Sequence, residues 1–307
     1  MKKIIFRMIS IAAVIILCAP LLAACSGTNM PGSRAEKYEN ADRYTPVAPD
    51  GVKIAVNVKK ICIYWTAGSV TFGQAFGDAI ELYEDSTSTL DTRTRMHYYF
   101  DGETLYVRFT VSGSFTLDAL SKKLTINLPA ATRYDEIEIK TVSASVRAEK
   151  IAADDIDIET VSGRIRALGV DASESVSLET VSGDIECSVS GKAGDVKLGT
   201  VSGNALLTLV SKAKLKVGTT SGPVKIMAHG YLTEADFDSV SGSVTLGITA
   251  GAGFDAKFQT VSGEFSSDFS LKPDGSHYTC GDGSLKLDFS TVSGNVKIVA
   301  LDSPTDF

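Results

Sequence analysis

Histidine, tryptophan and proline are scarce in this 307-residue chain, at three, one and eight copies. A catalytic or metal centre built on a histidine cluster therefore has little material. Positive charge is in deficit, with 30 Lys and Arg against 37 Asp and Glu, a net charge of -7. That balance argues against nucleic acid as a partner, because nucleic acid selects a basic footprint. Of the five cysteines, only Cys62, Cys187 and Cys280 lie beyond the first 25 residues. Three cannot all pair, and none stands at C-x-x-C spacing, so neither a disulfide framework nor a zinc site is expected. The motifs H-E-x-x-H, G-x-S-x-G and the Walker loop are missing, as is the G-G-x-G-x-D calcium repeat. What remains is 44% hydrophobic and 22% charged, the composition of a folded chain long enough for a sizeable core.

The N-terminus reads as an address. Lys2, Lys3 and Arg7 precede an apolar stretch from Met8 to Leu22 that Pro20 interrupts. It falls short of the roughly 20 residues a membrane span needs and reads as a secretory signal. Its end, Leu22-Ala23-Ala24-Cys25, resembles the bacterial lipobox. The resemblance implies cleavage after Ala24, a signal peptide over 1–24, and a lipid on Cys25. Each buried methylene of such a lipid contributes about 0.8 kcal/mol of membrane affinity. Removing three basic residues and no acidic one leaves 27 basic against 37 acidic, a net charge of -10. That charge keeps the folded part off an anionic surface. Residues 25–51, with Pro31, Gly32, Pro46, Pro49 and Gly51, read as a flexible tether.

A repeat runs through the second half. Thr-Val-Ser-Gly stands at Thr160, Thr180, Thr200, Thr260 and Thr291, with variants at Thr141, Thr219 and Ser239. Successive starts lie 19, 20, 20, 19, 20, 21 and 31 residues apart. A period near 20 is the signature of a solenoid. Four and two residues before each start stand apolar residues such as Val176 and Leu178. Five and seven after it stand others such as Ile185 and Cys187. These are period-2 patterns on both sides of a turn, so each repeat is two short strands flanking a Val-Ser-Gly corner. Small residues, Ala153, Ala172, Ala193 and Ala213, mark a short third side.

One such coil cannot bury its apolar face alone. Stacked about 4.8 Å apart, coils hydrogen-bond as parallel strands around one core. The corner hydroxyls are expected to hold the turn through backbone bonds. The corner glycine provides either positive φ or close packing, and Ala144, standing where glycine is the rule, leaves both open. Cys187 falls in an inward column, as a buried apolar group. Outward, Arg164 is expected beside Asp184 and Arg166 beside Glu186. Those pairs read as cross-strand charge pairing or as a polar binding groove. Asp154, Asp155 and Asp157 read as a solvated corner, and His277 as solvated.

Residues 52–132 read as an N-terminal β region. Ile61 to Phe72 fits the coil template with Trp65 at the motif start and Tyr64 outward. Asp101-Gly102 marks a hairpin turn. Thr110-Val111-Ser112-Gly113 matches the motif, but Tyr106 and Arg108 stand where apolar residues belong, so it reads as a chance match or a loop. Residues 133–307 form the repeat body, with a hairpin inserted near 268–283 around Pro273-Asp274-Gly275.

The serial Thr-Val-Ser-Gly corners, Trp65-Thr66-Ala67-Gly68, Asp101-Gly102-Glu103-Thr104-Leu105 and Gly281-Asp282-Gly283 together resemble a bacterial β-strand-repeat family of unknown function. Its members are named as adhesins and are often membrane-attached. The resemblance covers about residues 52–300 and supplies no catalytic residues. The expectation is an all-β chain, a single parallel β-solenoid with an N-terminal β cap. Its expected place is extracytoplasmic, lipid-anchored through Cys25 to a bacterial membrane, without catalytic, metal or cofactor-binding residues. Function is expected to be that of a non-catalytic surface scaffold or adhesin-like module, meeting an envelope polymer, an extracellular ligand or a membrane protein. The alternatives are an accessory of envelope assembly or stress sensing, and then a polysaccharide-active β-helix enzyme.

Overall fold

The computed structural model describes residues 38–113, 120–229 and 232–301. The signal segment and Cys25 lie outside the described residues. Within them are 25 strands and one 3-10 turn, Ala41–Arg43. No helix among the described residues is long and apolar enough to cross a membrane.

Two faces of parallel strands enclose the core. We term them face A, which carries the strands before each corner, and face B, which carries those after it. On face A, Ala152–Thr160 lies between Tyr134–Thr141 and the second half of Ile165–Thr180. The strands Asp195–Thr200, Ala213–Thr219 and Leu232–Ser239 follow in order. On face B, Ser145–Glu149, the start of Ile165–Thr180, Ile185–Val189, Ala205–Leu209, Val224–Ala228 and Val244–Thr249 stack likewise. The inward columns are nearly solvent-free. Ile158, Leu178, Ile165 and Leu207 are all 0% exposed, and Cys187 is 2% exposed. Ala153, Ala172, Ala193 and Ala213 line the narrow third side, buried as their size suggests.

The corners explain the motif. The Thr180 hydroxyl accepts from Gly183 N at 2.9 Å, and Thr160, Thr200 and Thr291 repeat the arrangement. These hydroxyls are buried, so the bond satisfies a group that would otherwise cost about 1–3 kcal/mol. The glycine serves close packing. A Cβ on Gly203 would stand 1.8 Å from the Gly183 carbonyl oxygen, and one on Gly183 1.9 Å from that of Gly163. None of these corner glycines has positive φ. Ala144 opens the ladder and faces Gly68, whose φ is 101°.

The ends depart from a single all-parallel solenoid, because the sheet is mixed. Strand Lys60–Trp65 pairs in parallel with both Thr104–Arg108 and Tyr134–Thr141, so the coil 60–74 lies inside the later coil 104–128. At the other end Leu285–Thr291 lies between Leu232–Ser239 and Phe254–Gln259, and Val296–Leu301 between Val244–Thr249 and Phe265–Ser267. The last coil in sequence is thus the second from the end in space. Antiparallel strands close both ends: His97–Phe100, Ile80–Ser86, Val52–Ile54 and Thr45–Pro46 at one, and the hairpin Lys272–Asp274/His277–Cys280 at the other. Pro46 and Pro273 sit on the outermost strands of face A, where a missing N–H blocks further pairing.

The Thr110 match is out of register. Tyr64 pairs with Arg108, so Phe109, 5% exposed, takes the column that Trp65 and the threonines occupy. Residues 38–51 are not free tether throughout. Tyr38 donates its hydroxyl to Thr110 O at 2.6 Å, and its N–H to the Ser112 hydroxyl.

Candidate functional site

Outward side chains of face B come from the alternate positions of each strand. Arg164 and Arg166, Asp184 and Glu186, Asn204 and Leu206, Pro223 and Lys225, Ser243 and Thr245 stand on five successive coils. The short side chains at Asn204, Pro223 and Ser243 leave a groove of about 450 Å³ across these coils. Leu206 and Pro223 give it an apolar floor, and hydrogen-bonding groups surround them. Asp184 is held on two sides. One oxygen accepts from Asn204 N and Nδ2 at 3.0 Å each, and the other from Arg164 at 3.0 Å. The backbone N–H of Asn204, then Arg164, holds this carboxyl below the usual carboxylate range. Glu186 pairs with Arg166. Both predicted charge pairs form, and Arg164, Asp184 and Glu186 line the edge of the groove.

The bonds from Asn204 and Arg164 keep the Asp184 carboxylate ionised at the edge of the groove.

Face A carries a different strip. Asp157 lies mid-strand on its outward side between Glu138 and Ser177, so Asp154, Asp155 and Asp157 do not form a solvated corner. Asp154 accepts from Ser173, and Asp155 from Ser175. Burial, then the neighbouring Glu159, pushes the Asp157 carboxyl up to about 7. Burial likewise raises Glu159, with Glu179 adding to it against Lys140. Glu179 is itself buried and pairs with Lys197, while Glu138 pairs with Lys140. No group of three or more His, Cys, Asp or Glu among the described residues could hold a metal ion.

The N-terminal end gathers aromatic and cationic groups. The Arg108 guanidinium lies 3.7 Å from the Tyr64 ring centre and 5.0 Å from that of Tyr38. Tyr44 touches both Tyr38 and Tyr99, and Tyr99 stacks on Tyr106. Beneath them Lys122 is fully buried. It meets Glu84 at 2.5 Å, donates to the carbonyls of Thr94 and Phe109, and lies over the Trp65 and Phe109 rings. Burial pulls its ammonium down to about 8, against the pull of Glu84. Trp65 donates its indole N–H to the Lys122 carbonyl at 3.1 Å.

Sequence reasoning missed this lysine. Its partner Glu84 lies 38 residues upstream and arrives only through the antiparallel pairing of 80–86 with 122–128. The histidines stay apart: His97 contacts Arg95 O through Nδ1, and His277 contacts Asp255 at 3.0 Å rather than solvent alone. Cys187, buried and with its thiol pushed up to about 12 by desolvation, is inert.

Solved structures that the chain is similar to include three from bacteria. One, named provisionally as a cell adhesion protein of Clostridium sporogenes, is 12% identical and covers 84% of this chain and 98% of its own, with a TM-score of 0.31. A second, named provisionally as a lipid binding protein of Parabacteroides distasonis, is 15% identical over 82% and 95%, with a TM-score of 0.45. A third, named provisionally as an adhesin of Bacteroides fragilis, is 14% identical over 82% and 96%, with a TM-score of 0.39. No curated protein matches the sequence. The family model that matches spans residues 58–299, from the first coil to the last, and the chain therefore belongs to the Toastrack DUF4097 family.

Proposed function

We propose that the chain is a non-catalytic, lipid-anchored surface module of adhesin type that holds an extended ligand in the groove of face B. The groove carries the proposal. It is a preformed surface of about 450 Å³, with Leu206 and Pro223 beneath a ligand and Asp184, Asn204, Glu186 and Lys225 around it. Charges of both signs beside an apolar floor suit a hydroxyl-rich polymer, which offers donors, acceptors and C–H faces together. A rigid parallel stack presents these groups at a fixed spacing, so little ordering entropy is lost on binding. The tether would place the rod outside the membrane that holds the lipid on Cys25.

The test uses residues 26–307 and a panel of bacterial envelope and extracellular matrix polymers on a biosensor surface. Saturable binding to a glycan, weakened at least tenfold by Leu206→Glu at unchanged melting temperature, supports the reading. Equal binding of the variant removes the groove from it. Retention of a single membrane protein instead favours the envelope-accessory function, and polymer turnover favours an enzyme.

A further inference from the structure

On the flank of the first coils, where the strands 52–54 and 68–74 end, two apolar side chains stand uncovered. Phe76, in the loop 75–79, is 106% exposed, more than an isolated extended residue. Val56 is 51% exposed and stands two residues beyond the Ile54–Ile80 pair, at the same end of the same antiparallel strands. A Cβ on the following Gly77 would meet nothing within 4 Å, so the loop projects clear of the fold. Single exposed apolar residues are common, but a phenylalanine wholly in water is costly to keep without a partner.

The rest of this end has interfacial composition. Tyr38, Tyr44, Tyr64, Tyr99 and Tyr106, five of the ten tyrosines of the chain, gather on its first coils around Arg108. Each is half-buried, with an apolar body and a polar tip. Such rings settle at the headgroup level of a bilayer.

The chain outside the structure identifies the occupant. The described residues begin at Tyr38, seated on this same end, and Cys25 lies 13 residues before it. Thirteen residues reach at most about 45 Å when fully extended. With a lipid on Cys25, this end and no other is held within that distance of the bilayer.

We infer that the loop around Phe76, with Val56, inserts into the lipid surface and holds the flank of the N-terminal coils against it. The inference rests on the lipid anchor at Cys25. The acidic body repels anionic headgroups along its length and leaves this loop as the point of contact.

The test places Phe76→Trp in the full lipidated chain, on vesicles of phosphatidylethanolamine and phosphatidylglycerol with brominated acyl chains. Trp65 is buried, and its signal is subtracted with the parent chain. The expected result is a blue-shifted emission quenched by the bromines. Val210→Trp, at a residue 54% exposed on a distant coil, should stay red and unquenched. A chain that floats with the vesicles while the indole of Phe76→Trp emits like that of Val210→Trp overturns the inference. A chain that does not float defeats the anchor instead. Docking is then read by sedimenting Cys25→Ser with vesicles: at least tenfold weaker binding of the added Phe76→Asp supports insertion, and equal binding overturns it.

Discussion

Gly203→Ala should unfold the middle of the rod, whereas Gly218→Ala, one coil away, should strengthen it. At Gly203 the new Cβ would stand 1.8 Å from the Gly183 carbonyl oxygen, and contact distance for that pair is about 3.2 Å. The two corners must part by more than an ångström. The ladder bonds beside them, Ser202 N to Val181 O at 3.0 Å and Ser221 N to Val201 O at 2.8 Å, cannot stretch that far and survive. Overpacking costs about 1–3 kcal/mol, and each buried backbone group left unpaired about 1–3 more. With one such group the sum is about 2–6 kcal/mol, a large part of the roughly 5–15 kcal/mol a domain has. Gly218 stands one residue from the end of the strand Ala213–Thr219 on its outward side, without positive φ and with nothing within 4 Å of a new Cβ. Alanine there restricts the unfolded chain and gains about 0.5–1 kcal/mol. Urea titration monitored by circular dichroism reads both. Equal midpoints for the two variants would refute the packing account of the corner.

Lys122→Met should cost about 3–5 kcal/mol, because it strands the buried Glu84 carboxylate. Adding Glu84→Gln should recover part of that loss in the same titration, and no recovery would show that the pair is not coupled. Asp157→Asn should stabilise the chain in a pH-dependent way. The folded pKa of Asp157 lies above its unfolded value, so its contribution is full below about pH 4 and is lost as pH rises toward 7. The variant should therefore match the parent near pH 4 and exceed it by about 2–4 kcal/mol at pH 8, and a gain equal at both pH values would contradict the buried carboxyl. Tyr134 is 1% exposed and its hydroxyl has no partner. Tyr134→Phe should leave melting unchanged or raise it by about 2–4 °C, and a clear loss would reveal a bond to that hydroxyl.

The repeat body was legible because its columns are local. Every inward residue sits at a fixed offset from a Thr-Val-Ser-Gly corner, so Cys187, the alanine side and the Arg164–Asp184 pair follow from counting. Stacking order at the ends was not legible. The coil 285–301 has the same pattern whichever neighbours it takes, and only the hairpin 272–280 routes it inside the coil 254–267. Phe109 hides a column because it replaces threonine with an aromatic ring, whereas the apolar residues flanking Trp65 gave its place away. Tyr106 and Arg108 did signal that the motif at Thr110 was out of step. The groove of face B was half visible. Its charged edges could be named, but its floor depends on Pro223 and Asn204 being short beside Leu206, which becomes meaningful once the coils are stacked. The docked Tyr38 and Tyr44 were lost among the prolines and glycines of a segment that reads as tether.

Hydroxyl-radical footprinting of the chain, free and saturated with whichever polymer it binds, tests the central claim most directly. The groove predicts protection of Leu206, Pro223 and Lys225, with Val210 and Val261, exposed elsewhere on the rod, labelled as before. Saturation that leaves Leu206 as reactive as in the free chain would contradict it.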